Sequence, residues 1–453
     1  MLFEDLLISP RILRVSEETV INGKFVDLPR GIKSGAVLKL KYAPVSGLLD
    51  NNTKFGCSEE KEVACTFSPD GTFSYSFTGN AEGEYVFHLY MELDSNVIHL
   101  AKFSCYALEE DLFKLRPYKG DTHVHTCRSS GGNIHEEPGF VAAYAHSRGL
   151  DFTFITDHCK QLPSLEAISA LAPFETDFKV YPGEECHVPA SKVEDLETAG
   201  CFCFPDIHQL SLGATTGVIQ YTNDHFEEFS AEIALRKAEM DPAIPDELRH
   251  LMAGIDWIVE KTHQFGGVSV CCHPFWTPGN QLNLPPPVRE YILQTEKYDA
   301  VELIGLGGRN NAGYFSGNLD CVAWLHSEEI RRGRKITVTG STDSHNTPEL
   351  LGYQYTLVFT DENTLDGIQN GIRSGKTLAC RCFPGEFPVF LGDFRLVRYA
   401  GFLYREFFPE HDELCCVEGK LMIQSLRGEV ETSLVSSYGK DRIAALFRRY
   451  WAE

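Results

Sequence analysis

The chain has 453 residues, of which 43% are hydrophobic and 23% charged, and carries a formal net charge of -23. That length exceeds one ordinary core, so two or three domains are expected, in the composition range of soluble globular proteins. The acidic excess argues against non-specific attraction to nucleic acid or anionic membrane, and no apolar run approaches the roughly 18 residues that span a bilayer.

In chain order, the opening Met1-Leu-Phe-Glu-Asp-Leu-Leu7 lacks the basic start and apolar core of an export signal, so a cytoplasmic location is expected. Residues 1–116 hold short alternating runs such as Phe73, Tyr75 and Phe77 against Ser74 and Ser76, with others at 36–42 and 83–92. They predict half-buried antiparallel strands and an accessory β-sandwich-like domain. Residues 117–380 alternate strand with helix, with helices predicted at 137–148, 248–264 and 364–374. Such βα units imply a parallel sheet, closed as a barrel or, as runner-up, open and doubly wound; the latter's Gly-x-Gly-x-x-Gly fingerprint is absent. Residues 381–453 return to short β-like pieces at 387–391 and 419–424 and end in a helix at 440–451. This α+β extension is expected to pack on the other domains.

The cysteines number 15, several inside apolar runs (Cys271, Cys272, Cys415, Cys416), and read as reduced buried thiols. Cys201 with Cys203 and Cys380 with Cys382 have one intervening residue, not the two usual in zinc knuckles, so no structural zinc is expected there.

Chemistry concentrates in five polar clusters at the ends of strand-like runs: His123-Val-His125, Thr156-Asp157-His158, Gly183-Glu184-Glu185, Cys272-His273-Pro274 and Thr342-Asp343-Ser344-His345. Side chains two apart in a strand share a face, so His123 and His125 point together, as do Asp343 and His345. Imidazoles and carboxylates bind divalent cations. Singly, each has an ordinary reading: His158 as a hydrogen-bonded core histidine, Asp157 or Asp343 as a helix cap, Glu184 as a solvated acid. Glu185 is placed where Gly183 lets the chain leave its strand. Jointly they describe a multinuclear metal site at a barrel rim. His88, His99, His146, His225, His250, His263, His326 and His411 lack that context and read as ordinary surface or core residues, and Trp257 and Trp324 as packing.

The series Tyr118-Lys-Gly-Asp-Thr-His-Val-His-Thr126, Ile155-Thr-Asp-His158, Pro182-Gly-Glu-Glu185, His273-Pro-Phe275 and Gly340-Ser-Thr-Asp-Ser-His345 resembles, in order, the motifs of the polymerase and histidinol phosphatase (PHP) superfamily. The resemblance spans residues 117–380 and implies a distorted (β/α)7 TIM-like barrel holding two or three divalent ions (Zn, Mn or Fe). It implies His123, His125, Glu185 and Asp343 around a first ion. Glu185 would bridge to a second held by His273 and either His208 or His187, with His208 preferred. A third would use His158 and His345. The chain departs from the pattern where Ser130 and Gly131 replace the usual acid or histidine after the HxH pair, and His135 and Glu136 have the wrong spacing to substitute.

Such a site implies a phosphoesterase acting on a small phosphorylated molecule, with His158, His345 and Asp343 as catalytic candidates. Arg128, Lys160 and Arg309 are candidate phosphate contacts. The alternatives are a C–N hydrolase of amidohydrolase type and a non-catalytic metal-binding scaffold.

Overall fold

A computed structural model describes residues 6–26, 37–47, 61–68, 70–93, 96–193, 196, 207–277, 283–304 and 312–452. The chain divides into two compact units: Met1–Arg116 with Arg398–Glu410 and Arg442–Glu453, and Pro117–Val397 with His411–Asp441.

In the first unit the strands are β1 (Leu6–Ser9), β2 (Ile12–Arg14), β3 (Glu18–Phe25), β4 (Val37–Pro44), β5 (Lys61–Thr66), β6 (Thr72–Thr78), β7 (Gly83–Leu93) and β8 (Asn96–Leu108). They form a sheet of order β1-β3-β6 and another of order β2-β8-β7-β4-β5. The alternation read in 72–78 is real: Phe73, Tyr75 and Phe77 are buried while Ser74 and Ser76 face solvent. Phe77 meets Tyr42 of β4 and Tyr85 and Phe87 of β7 edge-on, each with centroids 5.1 Å apart, and so joins one sheet to the other. The last residues of the chain belong here too, with the Ala452 N–H donating to the Ile12 carbonyl at 2.9 Å.

The second unit carries β9 (Arg116–Val124), β10 (Phe152–Ile155), β11 (Lys179–His187), β12 (His208–Leu212), β13 (Val268–Cys271), β14 (Ala300–Ile304), β15 (Val338–Gly340), β16 (Gln354–Thr360), β17 (Thr377–Arg381) and β18 (Val389–Gly392). They make one ten-stranded sheet of order β15-β14-β13-β12-β11-β10-β9-β16-β17-β18. It nearly closes on itself. Beyond β15, the Asp343 N–H donates to the His123 carbonyl and the His125 N–H to the Ser344 carbonyl, both at 2.9 Å. The segment that follows β15, Asp343 and Ser344, therefore comes back beside β9.

The parallel alternation expected for 117–380 holds for β9, β10 and β11 and again for β13, β14 and β15. It fails at β12, which runs antiparallel to both neighbours, and after β15, where β16, β17 and β18 form an antiparallel meander. The helices 138–147, 246–264 and 365–373 form where their apolar spacing and breakers put them. Thr364 caps the last by accepting the Gly367 N–H.

Two local expectations are corrected. Residues 419–424 are not a strand but part of the helix Phe408–Leu426, in which Cys415, Glu418 and Met422 are buried at helical spacing. A short apolar run does not separate the two by itself. Nor does the chain leave its strand at Gly183. β11 continues to His187, and a Cβ on Gly183 would lie 2.7 Å from the Ile155 carbonyl oxygen. The glycine admits the neighbouring backbone rather than a turn.

Candidate metal centre

All nine histidines and acids put forward as metal ligands converge. His123 lies near the end of β9, and His125 follows its last residue; Glu185 and His187 lie in β11, His208 opens β12, and His273, Asp343 and His345 follow β13 and β15. His123, His125, Glu185 and Asp343 place one donor atom each within 4.8 Å of one another, as do His158, Glu185, His187 and His208, and His125, His158 and His345. His187 and His208 are directly opposite each other in the β11–β12 pairing, with rings stacked 4.1 Å apart. His208 Nδ1 lies 2.6 Å from Glu185 Oε1 and 3.3 Å from His273 Nε2.

Glu185 is the hub. Its Oε1 lies 3.3 Å from His123 Nε2 and 3.2 Å from His273 Nε2, and its Oε2 lies 2.9 Å from His158 Nε2 and 3.3 Å from His125 Nε2. Asp343 Oδ1 sits 3.2 Å from His123 Nε2 and 2.8 Å from His125 Nε2, and those two nitrogens face each other at 3.1 Å.

The donor set fits divalent cations on two counts. Ligand atoms sharing one ion through bonds of about 2.1 Å lie about 3.0–3.4 Å apart, the spacing most of these pairs show. And Glu185 Oε2 and Asp343 Oδ1, both buried, make no hydrogen bond among the described residues despite the imidazoles around them. Buried polar atoms of native proteins are otherwise paired, and an ion supplies the missing partner.

The electrostatics agree. Burial opposes a charge on His123, but the carboxylates of Asp343, Glu185 and Glu302 overturn it and hold the pKa well above the ordinary histidine value. His125 is raised to about 9, against burial, by Asp343 and Glu185. Burial pushes Glu185 up, yet His208, His123 and His158 reverse this and keep it well below the carboxylate range, and His123 and His125 likewise depress Asp343. Positive charge is what this cavity wants, and a metal supplies it while displacing the protons. Burial holds His158 and His345 near 4, so both present neutral imidazoles.

Several supporting residues escaped the sequence reading. Glu302, buried on β14, faces His123 Nδ1 at 3.2 Å and accepts the His273 N–H at 3.0 Å and the Ser341 hydroxyl. It steers His123 to present Nε2 to the centre. Ser129 Oγ faces His125 Nδ1 at 2.9 Å and accepts the His158 N–H. Asp121 accepts from the N–H of His123 and both the N–H and hydroxyl of Thr342, and burial raises it to about 7. Cys272 Sγ stands 3.9 Å from Glu185 Oε1, and Trp276 packs edge-on against His273 at 5.4 Å. His273 and Asp343 themselves adopt left-handed backbone (φ +28° and +48°), strain of about 1–3 kcal/mol each that collects at functional sites.

Ser130, which replaces the expected acid, faces His158 Nδ1 at 2.9 Å. His135 is exposed, and Glu136 accepts the Thr347 N–H, so neither joins the cluster. Glu184 is no solvated acid: it is buried and accepts the N–H groups of Val218 and Ile219, while burial lifts it to about 7. Asp157 accepts from the N–H and hydroxyl of Thr126 and ties down the segment after His125. Of the candidate phosphate contacts, Arg128 and Lys160 engage other partners. Arg128 is exposed and paired with Glu137 and Glu166, and Lys160 Nζ donates to the Arg128 carbonyl at 2.9 Å. Arg309 lies outside the described residues, as does the Cys201–Cys203 pair.

No family model matches the chain, and no curated protein does. Among solved structures it is similar to a two-domain protein from Bacteroides vulgatus described as containing a predicted PHP-like metal-dependent phosphoesterase, at 14% identity over 63% of this chain and 70% of that one, TM-score 0.40. It is also similar to a lesion-specific endonuclease from Pyrococcus furiosus, at 13% identity over 74% of this chain and 90% of the other, TM-score 0.32. Likenesses this distant decide neither fold nor activity. Among the described residues no helix is long and apolar enough to cross a membrane.

Proposed function

We propose that this chain is a metal-dependent phosphoesterase of the PHP superfamily, built on a distorted seven-stranded barrel of β9 to β15 and acting on a small phosphorylated molecule. The observation that carries the reading is one buried carboxylate, Glu185, lying within 3.3 Å of nitrogens from five histidines of four chain segments. His123, His125, Glu185 and Asp343 would hold one ion, and Glu185, His208 and His273 a second, with His187 behind His208.

Paired divalent ions activate water and clamp the oxygens of an in-line displacement, which suits phosphoester hydrolysis. The chain's own groups do the rest. His345 is the most solvent-exposed imidazole of the centre and donates Nδ1–H to the Asp343 carbonyl at 3.1 Å, which leaves the neutral ring's Nε2 lone pair to take the proton given up by the attacking water and pass it to the leaving oxygen. Trp276, half-buried beside His208 and His273, is an apolar wall for the organic part of the substrate. With Arg128 and Lys160 engaged elsewhere, bound ions would meet most of the phosphate charge.

Release of inorganic phosphate from a panel of phosphomonoesters and diesters by the metal-replete chain tests the reading. Activity is expected, with His125→Ala lowering it at least a hundredfold. No turnover of any phosphoester by the metal-loaded protein would overturn it.

A further inference from the structure

Cysteines adjoin the candidate ligands at three places in the sequence: Cys159 follows His158, Cys186 separates Glu185 from His187, and Cys271-Cys272 precedes His273. Strand alternation sorts them. Val268, Val270 and Cys272 share one face and pack with Tyr181, Leu210 and Leu212. Those three continue the faces of β11 and β12 that carry Glu185 and His208, so Cys272 lies on the side of the sheet that bears the metal centre. Cys159, Cys186 and Cys271 belong instead to the core on the opposite face, beneath Ile255 and Ile258 of the helix Asp246–Gln264.

Neighbouring side chains of an extended strand point to opposite faces, and a regular strand would separate Cys272 from His273. The left-handed backbone of His273 (φ +28°) breaks that alternation, and Glu302 holds it in place by accepting its N–H at 3.0 Å. Both side chains then reach the centre. The donor atoms of His123, Glu185, Cys272 and His273 all lie within 4.8 Å of one another. Glu185 Oε1 stands 3.2 Å from His273 Nε2 and 3.9 Å from Cys272 Sγ. Sulfur and oxygen bound to one zinc ion lie about 3.6 Å apart at the tetrahedral angle and farther apart at wider angles. The thiol is fully buried, so this position is its working environment and not a chance approach at the surface.

We infer that Cys272 Sγ is a thiolate ligand of the ion that Glu185 and His273 share, and that this donor selects an ion of the zinc class over manganese or magnesium. The inference rests on the metal centre proposed above and adds a donor to it. Thiolate is a soft ligand that favours zinc and its neighbours, whereas carboxylate and water alone suit manganese and magnesium. The arriving ion displaces the thiol proton, which leaves to solvent. The ordinary alternative is a protonated thiol that fills the apolar floor and turns its S–H toward Glu185 Oε1.

Cobalt loading of the full-length chain, with the bound metal counted, separates the two. Cobalt bound to a thiolate has a near-ultraviolet charge-transfer band. That band is expected in the wild type, retained in Cys415→Ala, and lost in both Cys272→Ala and the near-isosteric Cys272→Ser. The ratio of zinc to manganese affinity is expected to fall at least about tenfold in Cys272→Ser. Should neither variant at 272 fold, zinc-edge X-ray absorption of the wild type is expected to show a sulfur neighbour at about 2.3 Å. Cobalt bound without the band, a band unchanged in Cys272→Ser, or zinc without a sulfur neighbour would overturn the inference and leave the phosphoesterase reading standing. A chain that takes up no cobalt at all would overturn both.

Discussion

Glu302 shows how a residue outside the candidate donor set holds the donors in place. One carboxylate orients His123 through its ring nitrogen and His273 through its backbone, ligands from two strands. Losing such a support typically costs ten- to a hundredfold in metal affinity. Glu302→Gln is therefore expected to weaken metal binding by about that factor with the fold intact, read by competition against a chromophoric chelator; unchanged affinity would remove Glu302 from the centre. Nothing in the linear pattern announced it. Ala300-Val-Glu-Leu-Ile304 has no neighbouring histidine, and the available signal was an acid inside a strand otherwise apolar enough to be buried, which must find a partner. The nine ligand candidates were legible because HxH, Asp-x-His and the strand-end acids each put chemistry where a sheet hands over to a loop. Arg128 and Lys160 were legible only as cations in loops, and loops are where sequence says least about direction.

Among elements, β11 and β12 shape the centre most. β11 was expected to stop at Gly183, but its extension to His187 lets it pair with an antiparallel β12, and that pairing sets His187 beside His208. Strand direction depends on partners far away in the chain, so β12's reversal could not be read from its five residues. The close approach at Gly183 is directly testable. A methyl there meets the Ile155 carbonyl and the Thr156 side chain, at 2.7 and 2.8 Å. Gly183→Ala is expected to destabilise the second unit by about 1–3 kcal/mol, the usual overpacking cost, seen as a lower urea midpoint at unchanged slope. A midpoint within error of wild type would mean that β10 and β11 separate easily. The helix Phe408–Leu426 was misread in part because Leu421, Met422 and Ile423 form an apolar run that suits either period, whereas the wider spacing of Cys415, Glu418 and Met422 is helical.

For the whole molecule, the two units differ in what stabilises them. The first rests on an aromatic sandwich core around Phe77 and Phe87, with no metal-binding group among those the described residues assemble. The second gathers buried carboxylates and imidazoles that could hold an ion. A ligand at a hundred times its Kd adds about 2.7 kcal/mol of stability. Chelation is thus expected to lower the melting transition of the second unit by several degrees and to leave that of the first in place, as followed by calorimetry with and without a chelator. A chelator that shifts neither transition would contradict a metal-stabilised unit. The return of the last residues of the chain to the first unit was not legible: amphipathic pattern says that the helix Arg442–Tyr450 must bury a face, not against which partner.

The most direct test is anomalous diffraction at a metal absorption edge from crystals of the metal-replete chain. At least two peaks are expected within about 2.5 Å of the Glu185 carboxylate oxygens and about 3.5–4 Å from each other. Density from metal-saturated crystals with no anomalous peak beside Glu185 would contradict a shared-carboxylate centre.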